Sequence, residues 1–351
     1  MLFGKTSHLV GLDIGSRSLK AAEIIETKEG RSLKRFGMLD IKSGAIEDAA
    51  IKDAETVADS LRQLFNENNI RIKNVAISIG GYSVIVKKIT MQAMTDDQLQ
   101  EAINFEAEQY IPFDISDVNI DYQVLGENEN DPDQIDVLLV AAKKDMINDY
   151  VNLVRMAGLN PCVIDVDAFA LQNIFEANYN ANDENIALVD IGDCKTSLNI
   201  LKSNSSVFIR DVSLGCNMIN RKIISLVDCS FEEAEQIKHS NETNKISAED
   251  LREIVSSVVS DWCTEIKRAL DFFYSAYPDD QISKIVLSGG GANIKEFRRL
   301  LALETLAEVE TINPFKNFEV NSKNFDSSYI DKIAPQAAIC MGLAIRKVDD
   351  K

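Results

Sequence analysis

The sequence predicts a bilobed α/β protein, two halves of one plan facing a cleft, with an α+β unit inserted into the first half. Three observations carry this. Asp-Ile-Gly occurs twice, at Asp13-Ile14-Gly15 and Asp190-Ile191-Gly192, each time as an apolar strand ending in an acid, then a glycine, small polar residues and another strand. Between the copies, residues 83–160 read as a compact unit of strands and helices of their own. The 351-residue chain is long enough for two sizeable cores, and 45% hydrophobic with 26% charged residues is an ordinary globular balance.

In the first half, residues 9–15, 19–25 and 33–41 read as strands, with Gly30 in a turn. Period-two alternation puts Gly11, Asp13 and Gly15 on one face of the first strand and Val10, Leu12 and Ile14 on the other, leaving room beside the acid for a ligand. Residues 54–68 have helical spacing at Val57, Leu61, Leu64 and Phe65, and 75–79 form a strand broken by Gly80-Gly81. The inserted unit opens with a strand over 83–90. Thr95 with Gln98 forms a capping box that starts a helix to about Tyr110, and Pro112 follows. Strands at 120–125 and 135–142 flank an acidic loop over 126–134, and a helix over 144–157 stops at Gly158.

The second half repeats the plan, with strands over 186–201 and 207–211 around the second Asp-Ile-Gly. Ser230 with Glu233 forms another capping box, and a long helix runs from 248 to 274. A strand over 285–288 leads into Gly289-Gly290-Gly291, with Asn293 as N-cap of a helix over 294–303. A polar loop over 316–328 precedes an Ala-rich helix over 335–346. The expected organisation is a first lobe from 1–82, 161–185 and 335–351, an inserted subdomain from 83–160, a second-lobe core from 186–212 and 280–334, and a helical subdomain from 213–279.

A formal net charge of −19 disfavours nucleic acid and direct adhesion to an anionic membrane. Six cysteines without a CxxC pair, and only His8 and His239, argue against a zinc site and for a reducing, cytoplasmic setting. The N-terminus shows no signal-sequence pattern, and no apolar run is long enough to cross a bilayer.

The paired turns suit a polyphosphate with a metal ion. Asp13 and Asp190 end their strands where a magnesium ion would sit, with contact mainly through its water shell because magnesium dehydrates reluctantly. Gly15, Ser16, Arg17 and Ser18 in one turn, and Gly192, Asp193, Lys195 and Thr196 in the other, offer backbone N–H groups and hydroxyls that form anion-binding concavities. Lys20 and Lys195 are candidate counter-charges. The loop Gly289, Gly290 and Gly291 suits packing against a nucleoside; a dinucleotide-binding fingerprint fails because Ile294 stands where the third glycine belongs. Glu265 and Arg268 either reach ribose and adenine or form a solvated helix face. Asp165 and Asp167 either orient a water near the terminal phosphate or stabilise a helix N-terminus. No nucleophilic triad is suggested.

These elements, in this order, resemble the actin-like ATPase superfamily, whose halves are ribonuclease H-like: two phosphate turns, an adenosine loop, and connecting helices matched here by 169–177 and 335–346. Phe105-Glu106-Ala107-Glu108-Gln109-Tyr110-Ile111-Pro112-Phe113 is similar to the EAEQYIPF signature of the PilM family of type IV pilus assembly proteins. Val84-Ile85-Val86-Lys87-Lys88-Ile89, the segment 137–142 and Asp165-Val166-Asp167-Ala168-Phe169-Ala170 fit the same family. The chain departs from it at Gly80-Gly81, where the family usually has proline, which predicts a looser turn. The resemblance implies an FtsA-like inserted subdomain, binding of ATP and Mg2+, and at most slow hydrolysis. It implies a scaffold of the inner-membrane platform that holds the N-terminal cytoplasmic tail of PilN in a groove between the first lobe and the inserted subdomain. Membrane attachment would then be indirect, through PilN. Alternatives are an FtsA-like cell-division or filament-forming protein, or a small-molecule kinase. Against membrane tethering, the tail Arg346-Lys347-Val348-Asp349-Asp350-Lys351 lacks the apolar face of an FtsA anchor helix.

Overall fold

The computed structural model describes residues 8–28, 30–128, 131–181, 184–239 and 245–348, so residues 1–7 of the first lobe and 349–351 of the charged tail lie outside it. The chain opens with a meander, β1 (Val10–Ile14), β2 (Ser18–Thr27) and β3 (Gly30–Asp40). A small hairpin follows, β4 (Ile46–Glu47) and β5 (Ala50–Ile51), which the sequence did not reveal. Asp53 caps α1 (Ala54–Glu67), whose apolar face of Val57, Ala58, Leu61, Leu64 and Phe65 is buried. After β6 (Asn74–Ile79) come β7 (Val84–Gln92), α2 (Asp96–Ala107), β8 (Val118–Asn128) and β9 (Asp131–Lys143). The Thr95–Gln98 capping box forms at the start of α2. The stretch expected to be an acidic loop over 126–134 is mostly the paired end of β8 and β9; its residues 129–130 lie outside the described residues.

Next are α3 (Lys144–Met156), β10 (Asn160–Val166) and α4 (Asp167–Asn178). The second half begins with the meander β11 (Asn185–Ile191), β12 (Thr196–Lys202) and β13 (Ser205–Val212). Helices α5 (Asn217–Val227), α6 (Phe231–His239) and α7 (Ala248–Ala276) follow. Glu233 and Ser230 exchange hydrogen bonds at the start of α6. Then come β14 (Ile282–Ser288), α8 (Lys295–Thr305), β15 (Glu308–Thr311), β16 (Phe318–Val320) and α9 (Ser327–Ala344).

Among the described residues the strands form two large sheets of one plan. The first runs β10-β6-β1-β2-β3-β16 and the second β13-β12-β11-β14-β15. In each, an antiparallel meander continues into two parallel strands, β6 and β10 or β14 and β15. This is the repeat that the two Asp-Ile-Gly copies predicted. A third sheet, β7-β9-β8, carries α2 on a core of its own.

Each large sheet is buried on both faces. Val10, Leu12 and Ile14 point into a core with α1 and α3, and Ala187, Val189 and Ile191 into a core with α5, α7 and α8. The opposite faces share a core: Ala22 and Phe36 from the first sheet, Leu188 and Val286 from the second, with α4 and α9 between them. Helix α9 reaches the β1 backbone because Gly11 has no side chain; a Cβ there would fall on Cys340 and Ala344. A Cβ on Gly342 would likewise fall on the Ala170 carbonyl of α4.

Three further departures from the sequence reading appear. Helix α9 begins at Ser327, capped by Asp326, and runs through Pro335 instead of starting there. Proline is favoured at a first helical turn, which is why the sequence suggested that start. The polar stretch 316–328 hides β16, which pairs in parallel with β3 and buries Phe318. Helix α3, grouped by sequence with the inserted unit, places Tyr150, Leu153 and Val154 in the first-lobe core.

Gly342→Ala is expected to lower stability by about 1–3 kcal/mol, the usual range for overpacking, because the new methyl meets backbone rather than a movable side chain. Urea unfolding measures it; an unchanged midpoint would contradict the close approach of α4 and α9.

Candidate functional site

The faces of β1 and β11 that look toward each other carry Asp13 and Asp190. The register sets Asp13 opposite Lys20 on β2, and their charged atoms meet at 2.9 Å. Gly15 N–H donates to the Ser18 carbonyl at 3.2 Å and closes a tight turn with Ser16 and Arg17 at its tip. Arg17 borders the cleft, but its guanidinium is committed to Asp40 at 3.1 Å and the Ile41 carbonyl at 3.2 Å, and lies 3.9 Å from Glu235 of α6. It therefore bridges the lobes at the cleft mouth.

The second turn has the same closure, Gly192 N–H to the Lys195 carbonyl at 2.9 Å. The Cys216 and Asn217 amides donate to the Gly192 and Asp193 carbonyls at 3.0 and 2.8 Å and tie the turn to the start of α5. Thr196 serves this scaffold: its hydroxyl donates to the Leu214 carbonyl at 2.7 Å, beneath the turn. The two turns border one space: Gly15, Ser16 and Arg17 of the first and Gly192, Asp193 and Cys194 of the second. Together they line a cleft of about 710 Å³, within the range of small-molecule sites.

Lys195 crosses this cleft. Its Nζ lies 2.7 Å from Asp167 Oδ2 at the start of α4 and 3.5 Å from Asp211 Oδ2 on β13. Burial opposes the lysine's charge, but the two carboxylates outweigh it and hold Lys195 above its ordinary pKa. Asp167 is half-buried, which opposes its charge, yet Lys195 with the Ser78 hydroxyl at 2.6 Å keeps it below the usual carboxylate range. Asp165 points elsewhere, to Arg346 at 3.2 Å. The Gly80-Gly81 loop is not loose: Gly81 N–H donates to Asp211 Oδ2 at 2.6 Å, and a Cβ on Gly80 would fall on Lys195 and Asp167.

On the nucleoside side, Gly289 and Gly290 border the cleft, whereas Gly291 packs beneath against Ile191 and Trp262. Asn293 does not cap α8; its side-chain amide donates to the Lys332 carbonyl at 3.4 Å and borders the cleft. Glu265 and Arg268 pair with each other at 2.6 Å on α7 and do not join the site. Helix α7 meets the cleft at Val255, and ten residues further on it has advanced about 15 Å. The wall there is instead Glu235 and Lys238 of α6, 2.8 Å apart. Their only sequence signal was the capping box that starts α6. Ser78, Tyr150, Asp211, Lys332 and Gln336 also line the cleft without any motif to announce them.

Asp190 is the electrostatic outlier. Burial pushes its carboxyl up to about 6; the Ser288 hydroxyl opposes this, and the negative charge of Asp13 adds to it. Two carboxylates facing one space, one of them short of positive charge, suit a divalent cation. Among the described residues no cluster of three or more His, Cys, Asp or Glu could hold a metal. An ion here would therefore be shared with phosphate oxygens and water.

Two sheets of one plan, with a matching Asp-Ile-Gly turn from each lining one cleft, define an actin-like ATPase fold. Solved structures agree: ethanolamine utilization protein EutJ from Carboxydothermus hydrogenoformans (TM-score 0.59, 14% identity, 96% of this chain and 89% of that chain) and MreB5 of Spiroplasma citri bound to ADP (0.51, 13%, 96% and 95%). The chain belongs to the type IV pilus assembly protein PilM family, whose model matches residues 11–348. It is also similar to the structure of a PilM-PilN type IV pilus biogenesis complex, with TM-score 0.87 and 26% identity over 98% of this chain and 100% of that chain.

In metal-free protein, folding favours the protonated form of Asp190, so its charge costs stability progressively as pH rises from about 4 through about 6. Asp190→Asn is expected to raise stability at pH 8, in chelator, by on the order of 2 kcal/mol and to change it little at pH 4. Denaturant titrations at both pH values test this, and an equal gain at both would refute it.

Proposed function

We propose that the chain binds ATP with Mg2+ between its two phosphate turns and serves the type IV pilus machine as a nucleotide-binding scaffold. One observation carries the reading: the turns of residues 15–18 and 192–195 line one cleft together with Asp13, Lys20, Asp190 and Lys195. Turn amides and hydroxyls would cradle phosphate oxygens, and Lys20 and Lys195 would balance their charge. Asp13 and Asp190 would hold the magnesium ion through its water shell, where it neutralises phosphate charge. Gly290, Lys238 and Glu235 would border the nucleoside.

The cleft favours binding over turnover. Asp167 accepts the Ser78 hydroxyl, a bond that does not depend on Lys195, and Asp165 pairs with Arg346, so neither carboxylate is free to take a proton from water or an acceptor hydroxyl. This weighs against a kinase and for slow hydrolysis at most.

The partner reading rests on family membership. A protein of this kind would hold the N-terminal cytoplasmic tail of PilN in a groove between the first lobe and the inserted unit, and so sit in the cytoplasm at the inner membrane. No helix among the described residues is long and apolar enough to cross a membrane, which fits attachment through a partner.

Calorimetric titration with ATP and magnesium is expected to show binding in the wild type, and at least about tenfold weaker binding in Asp190→Ala. A synthetic PilN N-terminal peptide is expected to bind the wild type. No heat from either ligand in folded wild type would refute the reading.

A further inference from the structure

The cleft lysine is already occupied by protein. Lys195 belongs to the second phosphate turn, yet it reaches Asp167 of the first lobe at 2.7 Å. Its other carboxylate, Asp211, uses the same Oδ2 atom to accept the Gly81 amide at 2.6 Å. Gly81 lies between β6, a strand of the first sheet, and β7, the first strand of the inserted unit. Its carbonyl accepts the Val84 amide at 3.0 Å, so it shapes the turn from which the insert departs. The missing side chain at Gly80 leaves room for the Lys195–Asp167 pair. One chain of polar contacts thus runs from Ser78 and Asp167, through Lys195 and Asp211, to the root of the inserted unit.

We propose that Lys195 is a switch between this inter-lobe latch and the terminal phosphate of a bound nucleotide, so that phosphate arrival unties the root of the inserted unit. The switch rests on the nucleotide reading above. A phosphate oxygen competes for the same ammonium as the two carboxylates. Once Lys195 turns to it, Asp167 and Asp211 face a new negative charge without their shared cation. Asp167 keeps its bond from Ser78. Asp211 is repelled from the phosphate, and the Gly81 amide loses a fixed acceptor. The partner-binding unit then gains freedom relative to the first lobe, a population shift paid in the currency of one ion pair.

Hydrogen exchange over residues 79–84, followed by mass spectrometry on the full chain, reads the latch directly, and calorimetry on the same samples reads nucleotide binding. Without nucleotide, this segment in the wild type is expected to exchange slowly. ATP with magnesium should speed it roughly tenfold or more, the worth of a hydrogen bond to a charged acceptor. Asp211→Ala and Gly80→Ala should exchange that fast without nucleotide and gain little on adding it. Wild type that binds nucleotide with unchanged or slower exchange overturns the switch alone. Two folded variants as protected as the wild type overturn the latch. Wild type that binds no nucleotide overturns the switch together with the nucleotide reading, a result the nucleotide-free variants keep separate from the latch.

Discussion

Close backbone packing of α4 and α9 between the two sheets governs the rest of the structure. Gly11 lets α9 lie directly on β1, and Gly342 lets it lie directly on α4. With no side chains to compress at these points, the spacing of the layers is set by backbone atoms. That spacing brings Asp13 and Asp190 to one space and lets their turns line a single cleft. The Gly289 amide donates to the Pro335 carbonyl at 2.9 Å, so the same helix also seats the glycine loop. A helix packed this tightly transmits displacement as a rigid body, because a close-packed interior yields little.

The electrostatics follow from that geometry. The chain carries a net charge of −19, yet its cleft would receive a polyanion. The conflict is resolved locally. Lys20 is buried, and although burial alone would weaken its charge, Asp13 restores it and holds its pKa above the ordinary value. Lys195 is held charged by two carboxylates, while Asp190 is left undercompensated. The site is thus charged in alternating signs, an arrangement that accepts a phosphate–cation complex more readily than either ion alone.

Much of this was legible in the sequence. Period-two alternation put Asp13 opposite the Val10-Leu12-Ile14 face, and the repeated Asp-Ile-Gly announced two sheets of one plan. Capping boxes at Thr95 and Ser230 marked helix starts correctly. The elements that escaped lack a local signature. The strand Phe318–Val320 is three residues long and exists because β3 offers an edge. Pro335 misplaced the start of α9 because local preference gives way to the helix's buried surroundings. In the site, Glu265 and Arg268 have suitable chemistry at the wrong distance along α7, while Asp211 and Lys238 have the right place and no motif. Arg17 and Thr196 belong to the turns but spend their polar atoms on scaffold. Sequence spacing identifies the backbone that cradles a ligand better than the side chains that converge on it, since convergence depends on tertiary packing.

The strand β16 has a consequence for how the protein is made. It closes the edge of the first sheet, and α9, which follows it, fills that sheet's inner face. The first lobe, whose β1–β3 meander precedes the insert and the second sheet in the chain, is therefore completed only by a segment that follows both. Until then β3 presents an open edge and β1 an uncovered glycine face. The inserted unit, whose core among the described residues spans 85–141, meets no such delay. Folding during translation would thus yield a finished insert on an unfinished lobe, leaving the nascent chain dependent on protection of that edge until residue 344 has emerged.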